Sequence, residues 1–423
     1  MTVALILIAL IGLLALGVPI AFALGGLGAI LLAAKGFALV MVPQALASSI
    51  DNFVLVAVPL FILMANILLK CEIGKDLFAA VQSWVGHWPG GLAVATILSC
   101  AIFSAISGSS VATAATIGTV AIPEMIARGY DRRFVYGLLA AGGTLGILIP
   151  PSIPMIIYGV ITEESVGKLF LAGVAPGLTL AGLFIAYSMA FARFSKRYVP
   201  LAKASASERL RLTLVATPSF MLAGAILLGL YLGVFTPTEA SAAGFALALV
   251  IAALLGRLSW ERLREAVLAS MATTVTIFLI LAGAQLFGRA ITLYRIPQEF
   301  STLIATHVSS AGWFVLVVCL LLLVLGLFLE SLSMLVVMVP VLFPSLAVLG
   351  IDTVWFGIFF VVMMECALIT PPVGLNLFVI QAVGKAPLQE VADGAWPFVA
   401  IMLALVAILY FVPDLALYLP FKL

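Results

Sequence analysis

The sequence predicts an all-α polytopic membrane protein, built as an inverted-topology repeat with two re-entrant hairpins and two broken helices. Three observations carry that expectation. Hydrophobic residues make up 65% of the 423 residues and charged residues only 9%, with a mean hydropathy of +1.31. That leaves too little polar surface to cover a soluble domain, so the solvent such a chain requires is a bilayer. The chain also matches itself. Slid by 221 residues, Pro123 falls on Pro344, Gly129 on Gly350, Asp131 on Asp352, and the pair Pro150-Pro151 on Pro371-Pro372. Nearer the start the shift is 218, pairing Pro19 with Pro237 and Gly26 with Gly244. Turn residues and prolines carry the match rather than leucines, which argues for a repeat over low-complexity coincidence. Finally, the proline pairs sit inside apolar stretches long enough to span, GILIPPSIPMIIYG (146–159) and ALITPPVGLNLFVI (367–380). Each proline in a helix interior costs about 3 kcal/mol, because it lacks an amide hydrogen and clashes with the preceding turn.

Taken in order, the first copy (1–200) begins with MTVALILIALIGLL, which has no basic leader region and reads as a first span rather than a removable signal. Spans follow at 3–17, 20–34 and 53–69, then a hairpin at 90–127, a broken helix at 134–161 and a span at 168–192. The second copy (212–423) repeats the plan at 213–234, 238–256 and 267–288, with a hairpin at 312–349, a broken helix at 354–383 and a span at 395–417. Several segments fall short of the roughly 20 residues of a full span. An odd number of crossings in the first copy turns the second upside down. The distribution of basic residues tests this independently: with the 193–211 loop inside, 15 of the 20 Lys and Arg residues, Lys196 and Arg197 among them, lie on the inner side. Both termini then fall outside.

Broken helices near the midplane supply backbone carbonyls and half-helix ends to ions and substrates, the usual build of secondary transporters. Carbonyls freed ahead of Pro150 are hard oxygen ligands that suit an alkali cation. The hairpin tips are SAISGSSVATAAT (104–116), rich in small polar residues, and LESLSM (329–334). Such residues serve equally in packed helix interfaces. Glu330, opposite Ser109 in the repeat, and Glu365, opposite Thr144, are carboxylates at membrane depth, functional candidates by their cost alone. The two halves should therefore hold unequal cation sites.

Other chemistries find little support. No GxxxxGK[ST] phosphate loop and no HExxH zinc motif occurs, and the two histidines, His87 and His307, each precede a hairpin. Cys71, Cys100, Cys319 and Cys366 stand singly and read as small core residues. A net charge of +2 without a basic tail gives no sign of nucleic-acid binding.

The stretch SGSSVATAATIGTVAIPEMIARGYDRRFVYGLLAAGGTLGILIPPSIPMIIYGVITEESVGKLFLAGVAPG (107–177), with FTPTEA (235–240) and MECALITPPVGLNLFVI (364–380), resembles the large membrane subunit of the tripartite ATP-independent periplasmic (TRAP) transporters, the DctM-like family, over essentially the whole chain. The resemblance implies a multi-pass protein of the bacterial inner membrane and no enzyme. It implies a sodium-driven importer of an organic acid such as a C4-dicarboxylate or sialic acid. A small four-helix membrane subunit and a periplasmic substrate-binding protein would be separate partner chains. An elevator motion is implied, in which a domain holding both hairpins slides against a scaffold. Carried onto this chain, one sodium site lies among Ser107, Gly108, Ser109, Gly143, Gly146 and Pro150, and a second among Glu330, Thr370, Val373 and Asn376. Ser110, Thr113, Ser152 and Asn376 are the substrate candidates. An ion channel or a passive membrane scaffold is the alternative from another class; the duplicated site and the hairpins argue against it.

Overall fold

The structure, a computed structural model, describes residues 2–36, 41–195, 198–199, 201–299, 302, 310–371 and 374–422. Among the described residues every regular element is helical. The first half contains α1 (Thr2–Ala15), α2 (Ile20–Ala34), α3 (Met41–Ile50), α4 (Ala57–Lys70), α5 (Ile73–Val85), α6 (Gly91–Ser107), α7 (Ser110–Ala127), α8 (Arg132–Leu148), α9 (Ile153–Thr162) and α10 (Val166–Ser195). The second contains α11 (Ala206–Tyr231), α12 (Pro237–Leu254), α13 (Trp260–Leu293), α14 (Ala311–Leu325), α15 (Ser331–Leu349), α16 (Thr353–Leu368), α17 (Leu375–Gly384), α18 (Leu388–Phe411) and α19 (Asp414–Lys422).

Eight helices are long and apolar enough to cross a membrane, counting α4 together with the 3-10 turn Phe53–Val56 before it, and α8 with α9 would make a ninth, bent by 42° at its break. Of the eight, α7 and α15 both begin at an interior cavity described below, as the tips of the expected hairpins would. Three helices were not expected from the sequence: α3, α5 and α19. Each is short, and α5 carries Lys75, Asp76 and Gln82 on a 13-residue stretch that no search for apolar spans selects. Asp76 near its start meets Arg257 at 2.5 Å, and Trp84 near its finish donates to Thr213. Since α11 and α12 are antiparallel neighbours, both contacts lie at one end of the bundle, and α5 runs across that end.

Local chemistry places the helix starts. Asp131 and Asp352, 221 residues apart, each accept a hydrogen bond from the backbone three residues on, at Phe134 and Trp355. A carboxylate at that position satisfies an orphan amide and is worth about 1 kcal/mol. The two helices they start, α8 and α16, enter from opposite ends. The evidence is α18: Asp393 near its beginning pairs with Arg133 at the start of α8, while the Leu409 carbonyl near its end accepts the Trp355 indole N–H at the start of α16. α8 and α18 cross so closely that a Cβ on Gly137 would stand 1.9 Å from the Gly394 carbonyl oxygen.

Two basic residues lie at the end where α5 sits. Lys70 pairs with Glu265 at 2.7 Å, and Arg257 also reaches the carbonyls of Cys71 and Glu72. Helices α2, α4, α12 and α13 pack on one another as one group. The other group joins α6–α10 to α16–α18, with α15 lying along both α9 and α13. Lys196, Arg197, His307, Pro372 and Val373 lie outside the described residues.

Candidate functional site

Seven helix ends meet at one cavity of about 420 Å³. Four are N-termini: α7 contributes Ser110, Val111 and Ala112, α9 Pro154, α15 Ser331 and Leu332, and α17 Leu375. Three are C-termini: Ser107 closes α6, Ile147 lies one residue from the end of α8, and Leu368 closes α16. An α-helix presents free N–H groups and about half a positive charge at its start, and free carbonyls with the opposite charge at its finish. A space ringed by both can hold an anion and a cation side by side.

The turn from α6 to α7 is the most closely fitted part. Gly108 has φ +59°, a left-handed conformation that costs a residue with a Cβ about 1–2 kcal/mol, and a Cβ there would meet the Pro151 carbonyl oxygen at 2.7 Å. Ser109 then caps α7 by accepting the Ala112 amide at 3.3 Å. Its backbone lies against Gly146 of α8, where a Cβ would stand 2.6 Å from the Ser109 carbonyl oxygen; Gly143 likewise admits the Ser110 carbonyl. Ser107 and Thr113 share a hydrogen bond at 2.9 Å behind the turn. The break in α8 supplies oxygen beside this turn. Pro150 and Pro151 lack the amides that would bond Gly146 and Ile147, so those carbonyls lose their helical donors where Ser109 approaches. Ser107, Gly108, Ser109, Gly143, Gly146 and Pro150 thus occupy one locality.

The second set is more dispersed. Glu330 lines the cavity and accepts the Ser333 hydroxyl at 3.0 Å. Thr370 donates to the Cys366 carbonyl at 2.7 Å, which leaves its oxygen free to accept. Asn376 turns toward the first hairpin: its Nδ2 donates to the Ser110 hydroxyl oxygen at 2.5 Å. Among the described residues no hydrogen bond joins Glu330, Thr370 and Asn376. Of the substrate candidates, Ser110 lines the cavity. Thr113 is fully buried behind it, and Ser152 is fully buried as the cap of α9, accepting the Met155 amide.

Glu365 lies fully inside α16 with its carboxylate facing Ser110. Ser110 accepts from Asn376, which leaves its hydroxyl available to donate toward Glu365, while neither Glu365 oxygen nor the Asn376 Oδ1 has a partner within full hydrogen-bond geometry among the described residues. Buried acceptors without a donor cost about 1–3 kcal/mol each, more for a charged group, unless a cation or proton satisfies them. Facing the hairpins across the cavity, α4 presents Asn66 and α13 presents Thr273; Asn66 donates to Ser270 at 2.9 Å, tying the two helices together. Sequence reasoning missed this wall, although a lone Asn in AVPLFILMANILLK signals it. His87 sits in the turn before α6 and does not line the cavity.

An all-helical bundle with an interrupted helix and helix ends meeting at an interior cavity belongs to the class of membrane transporters, and comparison with known proteins places it among transporter permeases. The profile of the family described as "Tripartite ATP-independent periplasmic transporter, DctM component" matches residues 7–415, and the chain belongs to that family. It is 38% identical over 371 residues to the C4-dicarboxylate TRAP transporter large permease protein DctM of Pseudomonas aeruginosa, covering 88% of this chain and 87% of that one. It is 33% identical over 407 residues to the isethionate TRAP transporter permease protein DctMQ of Oleidesulfovibrio alaskensis, covering 96% of this chain and 64% of that protein. Among solved structures it is similar to Neisseria gonorrhoeae MtrF, described as illuminating a class of antimetabolite efflux pumps, with a TM-score of 0.60 at 16% identity over 90% of this chain and 85% of that one. At that identity the likeness speaks for the fold alone.

Proposed function

We propose that this TRAP large permease imports a small organic acid across the bacterial inner membrane, driven by sodium. We take it to receive its substrate from a periplasmic binding protein and to work beside a separate small membrane subunit. The observation that carries this reading is the meeting of four helix N-termini and three C-termini at one cavity. An organic acid's carboxylate is matched by the N-termini of α7, α9, α15 and α17, with no basic side chain lining the cavity among the described residues. Sodium is matched by the carbonyl and hydroxyl oxygens at Ser107, Gly108, Ser109, Gly143, Gly146 and Pro150, and we assign a second ion, on the family resemblance, to Glu330, Thr370, Val373 and Asn376, of which Val373 lies outside the described residues. Coupling follows from charge: each bound cation lowers the cost of bringing a carboxylate into a low-dielectric space. The names of two relatives, a C4-dicarboxylate permease and an isethionate permease, favour a small organic anion, and the second name joins M and Q components in one chain.

The opposed entry of α8 and α16 and the 221-residue recurrence of capped helix starts support an inverted repeat, with copies at 1–200 and 212–423. The cavity lies between the α2–α4–α12–α13 group and the hairpin group, the arrangement an elevator requires. Uptake into proteoliposomes with a defined binding protein and small subunit tests the reading. Uptake that needs a sodium gradient and all three components is expected; uptake by this chain alone, or equal uptake on a potassium gradient, overturns it.

A further inference from the structure

A second cleft of about 460 Å³ opens between α13 and α15, toward the end of α13 remote from the Lys70–Glu265 pair. Leu281, Ala284 and Leu293 of α13 face Val336, Pro340 and Phe343 of α15 across it. Its polar groups, Gln285, Arg289 and Thr292, all come from α13. Arg289 is half-buried, four residues from the helix end, and its Nη2 donates to the Ser48 hydroxyl oxygen at 2.6 Å. Among the described residues it forms no ion pair. A cation without a counter-charge thus stands beside an apolar cleft in a membrane-spanning helix.

We propose that this cleft binds one glycerophospholipid, its phosphate on Arg289 and one acyl chain lying between α13 and α15. Dimensions agree: from Arg289 back to Leu281 the cleft follows about 12 Å of helix, within the roughly 15 Å of a single hydrocarbon leaflet. Guanidinium and phosphate form paired charge-assisted hydrogen bonds, and Gln285 adds a donor beside them. A space between membrane helices that opens onto hydrocarbon is filled at least cost by hydrocarbon, since leaving it void forfeits the dispersion contacts of its walls. A small organic acid suits the cleft poorly, because it would leave the apolar walls uncovered. Because α15 runs on from the tip at 326–330, a lipid here wedges the moving group against the fixed one.

The test is native mass spectrometry of the full chain after exhaustive detergent washing, with lipid phosphorus measured in parallel, on protein confirmed as folded by size exclusion. The unaltered chain is expected to keep one phospholipid. Arg289→Gln removes the headgroup contact and Ala284→Trp fills the cleft while sparing the guanidinium; each is expected to reduce the adduct at least fivefold. Arg289→Lys, which keeps the charge, is expected to retain most of it, and Gly182→Ala, on a helix face with open space, all of it. Retention of the adduct by both Arg289→Gln and Ala284→Trp overturns the proposal. So does displacement of the adduct by millimolar inorganic phosphate or succinate, which would mark an anion site without an acyl chain. The readout needs no transport, so it is independent of the sodium-driven reading.

Discussion

Gly146 and Ser109 touch without a side chain between them, and that contact makes a sharp test of the first cation site. A Cβ at 146 would stand 2.6 Å from the Ser109 carbonyl oxygen, so Gly146→Ala must push the α6–α7 turn away from the break in α8. Overpacking of this kind costs about 1–3 kcal/mol. Half-maximal sodium for uptake should therefore rise roughly tenfold, while Gly182→Ala leaves it unchanged. An unaltered sodium curve in folded Gly146→Ala would remove this turn from the cation path. The carboxylates call for a parallel measurement. Glu330 lines the cavity and Glu365 faces Ser110 with unsatisfied oxygens, so each stands where a desolvated cation needs negative charge. Glu330→Gln and Glu365→Gln should each raise half-maximal sodium by about 5- to 100-fold, the equivalent of about 1–3 kcal/mol, and flatten its concentration dependence. If both variants keep the unaltered curve, the glutamates are structural and backbone carbonyls are the ligands. Residue types at these positions were legible in the sequence, because a carboxylate in an apolar helix or a Gly-Ser run at a turn is conspicuous. Their partners were not: nothing local in the chain says that Asn376 reaches across to Ser110 rather than to Thr370.

At the scale of elements, helix direction is the claim most open to measurement. Ser205 caps α11 by accepting the Glu208 amide, Thr236 caps α12 in a reciprocal pair with Glu239, and both residues are exposed. Between them α11 runs for 26 residues, about 39 Å, enough to cross. A cysteine at position 205 should react with an impermeant thiol reagent only from the cytoplasmic side, and one at 236 only from the periplasmic side. Losing either cap costs about 1 kcal/mol, which a protein of this size tolerates. Labelling of both from one face would sink the inversion. The Pro150-Pro151 pair announced the break between α8 and α9, and the apolar runs the long helices, because each acts through the backbone within a few residues. Helix α5 was invisible for the opposite reason. Its place is fixed by Arg257 and Thr213, partners more than a hundred residues away, and its own composition is that of neither a span nor a loop.

For the whole molecule, the question is whether the hairpin group must leave the wall it now faces. Thr273 of α13 and Leu332 of α15 line the same cavity, one on each side of the seam between the α2–α4–α12–α13 group and the hairpin group. The Ser270–Asn66 bond holds α13 to α4, so under the proposed elevator reading this wall stays in place and the hairpins slide. Such a slide would follow the apolar face of α13 toward Arg289, 16 residues and about 24 Å further along. Cysteines at 273 and 332, joined by a short cleavable bis-thiol reagent, should therefore arrest sodium-driven uptake at background in the complete three-component system, and cleavage of the link should restore it. Variants carrying only one of the two cysteines, treated identically, report what Cys71, Cys100, Cys319 and Cys366 contribute; three of those four are buried. A mechanism in which only a small gate opens around a stationary hairpin would survive the link. Undiminished uptake by protein shown to be fully cross-linked would therefore discard the elevator while leaving the cation and carboxylate sites standing.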